Sequence, residues 1–336
     1  MEFCTISGEV IANVLSAQQR QVVEQVKQTY ISHHKQLTNN PDSYFLRFSD
    51  KPEARIIALP AAINDNVQAR SGIKWISSYP KNIEKNIQRA SAVVVLNDYE
   101  TGYPLACLEG AQISAARTSA SAVLAASTLK GSNNQAKKVA FIGNGYIAKT
   151  ILSYFHAEQW RIDEVCSYDL NQQDATYFAQ LATSEYGYTS RSVSQLSAAI
   201  DNADIVVLAT NTATPYLTDP AAFHPGQIIL NISLRDLSPE VVMAANNVLD
   251  DVDHCLKANT SPHLAEQQCG HRDFIDTTLP QLLAEGGTLD KEKPTIFSPF
   301  GLGVLDITLA NFIYTTAKEN GQAQVIDGFF PSLKRW

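Results

Sequence analysis

The chain has 336 residues, 45% of them apolar and 18% charged, and a formal net charge of −8. That length carries two domains with cores of their own, and the acidic balance speaks against nucleic acid as a partner, because phosphate binding requires a basic face. No stretch approaches the roughly 20 apolar residues of a membrane helix, and the opening MEFCTISGEV has neither the basic nor the apolar region of a secretory signal. A cytoplasmic protein with no membrane partner is expected, and five scattered cysteines fit a reducing compartment.

Along the chain, SAQQRQVVEQVKQTYISHHKQL predicts a helix capped by Ser16, with Val22, Val23, Val26 and Tyr30 at helical spacing. Strands follow at SYFLRF, ARIIALP, RSGIKWIS, ASAVVVLND and PLACLEG, and the turn DYETGY makes the last two a hairpin. Strands joined without intervening helices predict an antiparallel or mixed sheet. Residues 112–129, QISAARTSASAVLAASTL, predict a helix whose Ala and Ser side chains allow close packing, and KGSNNQA marks a domain boundary.

Beyond that boundary the rhythm changes. Apolar runs at KKVAFIG, DEVCSYD, DIVVLAT, GQIILNIS, NNVLDD and TIFSPF alternate with helical or loop segments, the pattern of a doubly wound parallel sheet. DITLANFIYTTAKEN then predicts an amphipathic helix that returns to the first domain. The expected class is α/β: a Rossmann domain over residues 131–304 and a discontinuous α+β substrate-binding domain over residues 1–130 and 305–336.

Gly143, Gly145 and Ala148 form G-x-G-x-x-A directly after a strand and at the opening of a helix. The first glycine permits the tight turn, the second lets a pyrophosphate approach the backbone, and the small third residue lets helix and strand pack closely. The helix N-terminus offers free N–H groups and a positive dipole end. Asn144, Tyr146 and Ile147 complete this loop. Asp169, 26 residues after Gly143, ends the next strand, where a carboxylate holds ribose hydroxyls and repels a 2′-phosphate. NAD is therefore expected over NADP.

Three cations stand in unusual places. Arg55 opens the apolar strand RIIALP and Lys74 lies inside GIKWI, and cations in such runs are seldom buried without a partner. Arg117 lies early in a helix, where it opposes the macrodipole unless an anion is near. Each can be a salt-bridged structural residue, or the three can meet the carboxylates of a small acid. Asp236, just past a strand in LNISLRDLSPE, occupies the position where general bases collect in parallel sheets, and it also precedes a helix that it could cap. His254, Cys255, His263, Cys269 and His271 lack metal-ligand spacing, so no metal site is expected.

Together, RIIALP, SGIKW, ETGYPLA, SAARTSA, IGNGYIA, NISLRD and FGLGVLD resemble the ornithine cyclodeaminase/μ-crystallin family over essentially the whole chain. The resemblance implies a first domain that binds an amino-acid substrate and makes a homodimer, followed by a Rossmann domain. It implies that Arg55, Lys74 and Arg117 hold substrate carboxylate. Asp236 would be the acid/base, with Lys74 beside it in catalysis, and Thr210, Ser233 and Gly301 would line the cofactor. Two departures argue against proline formation from ornithine. The Gly-Lys that follows the aspartate in cyclodeaminases is replaced by LSPEVV, and Pro299 stands where they carry serine.

The segments KNIEKNIQRAS and VLDDVDHC resemble the branch of the family that makes 2,3-diaminopropionate. That resemblance implies NAD-dependent oxidation of N-(1-amino-1-carboxyl-2-ethyl)-glutamate to 2-oxoglutarate and L-2,3-diaminopropionate, for a siderophore or an antibiotic. The substrate carries several carboxylates, which makes Arg89 a further binding candidate. The alternatives are a cyclodeaminase or an imine or alanine dehydrogenase of the same family, and a non-catalytic crystallin-like nucleotide-binding protein.

Overall fold

The computed structural model describes residues 2–131 and 133–331. The chain divides into two compact units, one running through Arg117 and resuming at Leu302, the other Thr118–Gly301. The helix Ala111–Lys130 starts in the first and ends in the second. No helix among the described residues is long and apolar enough to cross a membrane.

The first unit holds strands β1 (Cys4–Ile6), β2 (Thr38–Asn39), β3 (Tyr44–Phe48), β4 (Lys51–Asn64), β5 (Ala69–Ser78), β6 (Ala90–Asp98) and β7 (Pro104–Glu109). Its sheet runs β1-β7-β6-β5-β4-β2 with β3 also on β4. It is mixed as expected: β1 is parallel to β7, and the other pairs among these strands are antiparallel. Alternation sorts the side chains. Leu59, Ala61 and Ile63 of β4, Val94 and Leu96 of β6, and Ala106 and Leu108 of β7 are buried on one face, against which the C-terminal helix Gly303–Glu319 packs.

Two glycines set how closely that helix lies. A Cβ on Gly72 would stand 2.3 Å from the Val95 carbonyl and 3.0 Å from Ile307, and one on Gly303 would stand 3.2 Å from the Leu59 carbonyl. The opposite face of the sheet carries apolar side chains in the open: Trp75 and Val93, in register with each other, are 43% and 40% exposed.

The predicted first helix starts differently. It is two helices, Gly8–Ala17 and Gln19–His34, broken at Gln18. Ser7 is the cap, accepting from the Val10 N–H, while the Ser16 hydroxyl turns back to the Asn13 carbonyl inside the last turn. The apolar period of the second helix runs up to a break that holds no capping side chain, so Ser16 mimicked a start.

The second unit is a parallel sheet of β8 (Gln135–Ile142), β9 (Arg161–Tyr168), β10 (Ser190–Ser192), β11 (Ile205–Leu208), β12 (Ile228–Asn231), β13 (Asn246–Leu249), β14 (Thr277–Thr278) and β15 (Thr295–Ser298). The order is β10-β9-β8-β11-β12-β15-β13-β14, with every pair parallel. The central strands are apolar throughout because helices cover both faces. The chain winds one way from β8 and the other way from its neighbour β11, which opens a crevice at their carboxyl ends. The short polar edges β10 and β14 gave no apolar run to read. A last strand, β16 (Gln324–Val325), pairs with β1 in the first unit.

Gly72→Ala tests this close packing. The added methyl meets the backbone of the neighbouring strand at Val95, which cannot rotate away, as well as Ile307 of the helix, so the variant is expected to lose about 1–3 kcal/mol. Chemical denaturation measures it; an unchanged midpoint would show that strand and helix have room to shift.

Candidate functional site

In the first unit, Lys74 sits mid-strand on the buried face of β5, opposite Leu59. Its Nζ donates to Asp306 Oδ2 at 2.6 Å and to Ser114 Oγ at 3.2 Å. Arg117 reaches Asp306 Oδ1 with Nε at 3.4 Å, and the same serine with Nη2 at 3.4 Å. Asp306 is fully buried in the first turn of Gly303–Glu319, where the helix dipole favours a negative charge. Two cations thus share one carboxylate, leaving a positive surplus in a buried place. Burial, reinforced by the Arg117 charge and opposed by Asp306, lowers the Lys74 pKa to about 8.

Arg55 lies on the same sheet face as Lys74, four residues along the strands, or about 13 Å at strand rise. It stands in register with Arg47 on one side and Ser78 on the other, and Ser78 faces Ala90. Arg47 and Arg55 thus stand directly opposite each other across the two strands. Arg89, exposed, is next to Ala90 at the same end of the sheet. Lys74 and Arg117 therefore meet directly, while Arg55 and Arg89 form a separate group farther along. Asp306 was missed in the sequence. Its only signal was one acid inside the apolar run GVLDITLA.

In the second unit, the candidate side chains follow the carboxyl ends of the strands. Gly143 directly follows β8 at φ +85°, and a Cβ there would lie 2.7 Å from the Ala209 carbonyl, so only glycine fits. Gly145 precedes the helix Tyr146–Ala157, and a Cβ on it would meet nothing within 4 Å. Ala148 is buried against the sheet, Ile147 is half-buried and Tyr146 is exposed. Asn144 is buried with its Oδ1 unpartnered among the described residues. Asp169 leans over this loop, accepting from the Asn144 N–H at 2.8 Å and the Asn171 N–H at 2.9 Å. The turn, the open second glycine, the helix N-terminus and the adjacent carboxylate fit a dinucleotide.

Beside the loop, Thr210 follows β11 and Asp236 follows β12. Asp236 is completely buried. The Thr210 hydroxyl reaches both of its oxygens, at 2.9 and 3.0 Å, and the Tyr216 hydroxyl donates to Oδ2 at 3.0 Å. Burial raises the Asp236 pKa, against the opposing pull of the Ser233, Thr210 and Tyr216 hydroxyls. The helix Pro239–Met243 takes Ser238 as its N-cap, so Asp236 is not used for capping. Leu234, two residues earlier, holds φ +77°, a strained value for a bulky side chain. Ser233 donates to the Leu208 carbonyl at 3.1 Å.

Gly301, at φ +94°, is fixed by Asp250. That buried carboxylate accepts from the N–H groups of Asp251, Phe300 and Gly301 and from the Cys255 thiol, at 3.0, 2.9, 2.7 and 3.0 Å. His254 pairs with Asp251 at 2.8 Å, and the Cys269 thiol donates to the His271 carbonyl at 3.2 Å. No group of three metal-ligating side chains occurs among the described residues. Asp250 and Tyr216 were also missed in the sequence: the first is one of two adjacent acids in VLDDVD, the second one tyrosine in a polar loop.

The family model for "Ornithine cyclodeaminase/mu-crystallin family" matches residues 9–321. N-((2S)-2-amino-2-carboxyethyl)-L-glutamate dehydrogenase of Staphylococcus aureus is 32% identical over 273 residues, 79% of this chain and 80% of that protein. Among solved structures, Δ1-pyrroline-2-carboxylate reductase of Thermococcus litoralis, in complex with NADH and L-proline, superposes with a TM-score of 0.87 at 24% identity, covering 96% of this chain and 100% of the other. An archaeal alanine dehydrogenase dimer with bound NAD reaches a TM-score of 0.85 at 22% identity, over 98% of this chain and 100% of that one.

The lowered Lys74 pKa sets a pH dependence. In the folded chain the proton leaves at about pH 8, against 10.5 for an unperturbed lysine. Between those values the unfolded chain binds more protons, so the lysine's contribution to stability rises with pH. Anion binding moves the opposite way. Affinity for a dicarboxylate such as malonate, measured by calorimetry, is expected to fall as pH rises past about 8, and the fall should vanish in Lys74→Met. A pH-independent affinity in the parent protein would remove Lys74 from the anion site.

Proposed function

The chain belongs to the ornithine cyclodeaminase/mu-crystallin family, and from that membership we propose that it is an NAD-dependent dehydrogenase acting on a C–N bond, with N-(1-amino-1-carboxyl-2-ethyl)-L-glutamate as substrate. The products are 2-oxoglutarate and L-2,3-diaminopropionate. The observation that carries this reading is the surplus of cations in the first unit, where Lys74 and Arg117 share one buried carboxylate. A substrate with three carboxylates satisfies such a set, while a cationic diamine such as ornithine does not.

Gly143, Asn144, Gly145, Tyr146, Ile147 and Ala148 would cradle the cofactor's pyrophosphate, and Asp169 its adenosine ribose, with Thr210, Ser233 and Gly301 toward the nicotinamide. When bound, NAD supplies the acceptor for the hydride leaving the glutamate α-carbon. The protein's own work is positioning and proton transfer. Lys74, Arg117 and Arg55 would fix the carboxylates beside that carbon, a restriction of motion that contributes several kcal/mol to the barrier reduction. Asp236, whose proton affinity burial raises, is suited to accept a proton from the attacking water and return it to the departing nitrogen.

We also read the protein as a homodimer. The open apolar sheet face around Trp75, Val93 and Leu46 is the kind of surface that a second copy covers. All five cysteines are free, in keeping with a reducing cytoplasm.

The deciding experiment incubates the purified protein with that substrate and NAD. The expected outcome is NADH together with 2-oxoglutarate and diaminopropionate by mass spectrometry. Proline from ornithine without net NADH would move the protein to the cyclodeaminases, and bound NAD with no turnover of any amine or imine would favour a crystallin-like role. Asp236→Asn should lower turnover on the order of 10²-fold or more while NAD affinity is kept; undiminished turnover would remove the acid/base assignment. Asp169→Ala is expected to weaken NAD more than NADP, and an unaltered preference between the two would show that the ribose is read elsewhere.

A further inference from the structure

The base proposed above has no surface of its own. Asp236 is 0% exposed, while Tyr216, whose hydroxyl is 3.0 Å from Asp236 Oδ2, is 38% exposed. The contact is built rather than incidental. The Tyr216 and Leu217 N–H groups both donate to the Asp236 carbonyl, and the Leu217–Leu237 bridge continues that pairing. The loop following β11 is thereby folded over the carboxylate, with the phenol as its lid.

The two hydroxyls on Asp236 are not equivalent. Thr210 Oγ1 lies between both carboxylate oxygens and also accepts from the Thr212 N–H at 3.4 Å, so it serves to hold the carboxylate. Tyr216 touches one oxygen only, from the exposed side. A hydroxyl donates one proton and accepts through two lone pairs, so a phenol that donates inward to Asp236 can still accept from outside.

We propose that the Tyr216 hydroxyl is the catalytic group that meets the reacting water, and that it carries protons between that water and Asp236. This rests on the dehydrogenase reading and concerns its hydrolytic half, which needs no oxidant. Water attacks the carbon of the protonated imine, forming a C–O bond as the C=N pair moves to nitrogen. The water proton passes to Tyr216 Oη while the proton of Tyr216 passes to Asp236 Oδ2. On collapse the same path returns that proton to nitrogen, the C–N pair leaves with the amine, and the carbinol proton is taken up through Tyr216 as the carbonyl forms. Asp236 then gives this proton to the released amine. Burial and the Asp236 charge hold the Tyr216 pKa high, so the phenol hands on protons without remaining ionised.

Tyr216→Phe keeps the ring and removes only the relay atom. The expected result is a kcat lower on the order of 10²-fold, with KM and NAD affinity within about twofold of the parent. Fluorotyrosine at position 216 keeps both ring and hydroxyl but makes the phenol more acidic. It should shift the pH–rate profile and change the solvent deuterium isotope effect, which a purely structural hydroxyl would not do. A Tyr216→Phe enzyme with parental kcat, or a fluorotyrosine profile superposing on the parent's, overturns the relay. Turnover of the diaminopropionate precursor by the parent protein decides the substrate reading separately. Should that precursor be refused, the same ratios are read with alanine, whose oxidation likewise ends in hydrolysis of an imine. Silence with both substrates overturns both readings.

Discussion

A buried carboxylate that answers two cations organises the first unit. Asp306 joins Lys74 at 2.6 Å across 232 residues of chain and takes Arg117 as well. A cation buried alone on β5 would cost several kcal/mol, and removing one partner of such a pair leaves that cost exposed. Because Asp306 rides on the C-terminal helix, the contact also ties the returning end of the chain to the sheet. Gly72 and Gly303 permit the required approach by carrying no Cβ. The same arrangement that closes the discontinuous unit leaves one positive charge unanswered. Packing and the local charge therefore draw on one set of side chains.

In the second unit, two buried aspartates, one beyond β12 and one beyond β13, show how the donor decides the role. Asp250 is held by three backbone N–H groups and a thiol. Amide donors do not exchange their protons for work, so this carboxylate fixes the chain through Phe300 and Gly301. Asp236 meets the hydroxyls of Thr210 and Tyr216 instead. A hydroxyl, unlike an amide, can donate and accept in turn. Burial is the same for both; the chemistry differs because the partners do. Leu234 adds strain at this loop, and strain persists only where surrounding structure over-determines the backbone.

Much of this was legible before any coordinates. The change from short alternating strands to continuous apolar runs reflects one-sided against two-sided burial, and it separated a mixed sheet from a parallel one. The tight turn at Gly143 and the helix that opens after Gly145 were readable because such a turn constrains backbone, and backbone constraints leave residue types at fixed spacing. Asp236 was readable from its place after a strand. What misled was local: Ser16 had the composition of a cap, yet its hydroxyl turned to Asn13, and Ser7 began the helix.

The partners of these residues were another matter. Lys74 and Arg117 were visible as cations in unusual places, but Asp306, which explains both, lies far along the chain in a helix whose own pattern says only that it is buried. Tyr216 and Asp250 likewise became significant through what they touch. Periodicity and turn chemistry are written in neighbouring residues, because they arise from the local geometry of the backbone. The sequence by itself thus determined the two kinds of sheet, the glycine turn between strand and helix, and the isolated charged residues. Only the tertiary structure decided which charges share a carboxylate and which hydroxyls cover a buried acid, because electrostatics and hydrogen bonding depend on distances of a few ångströms that chain separation does not encode.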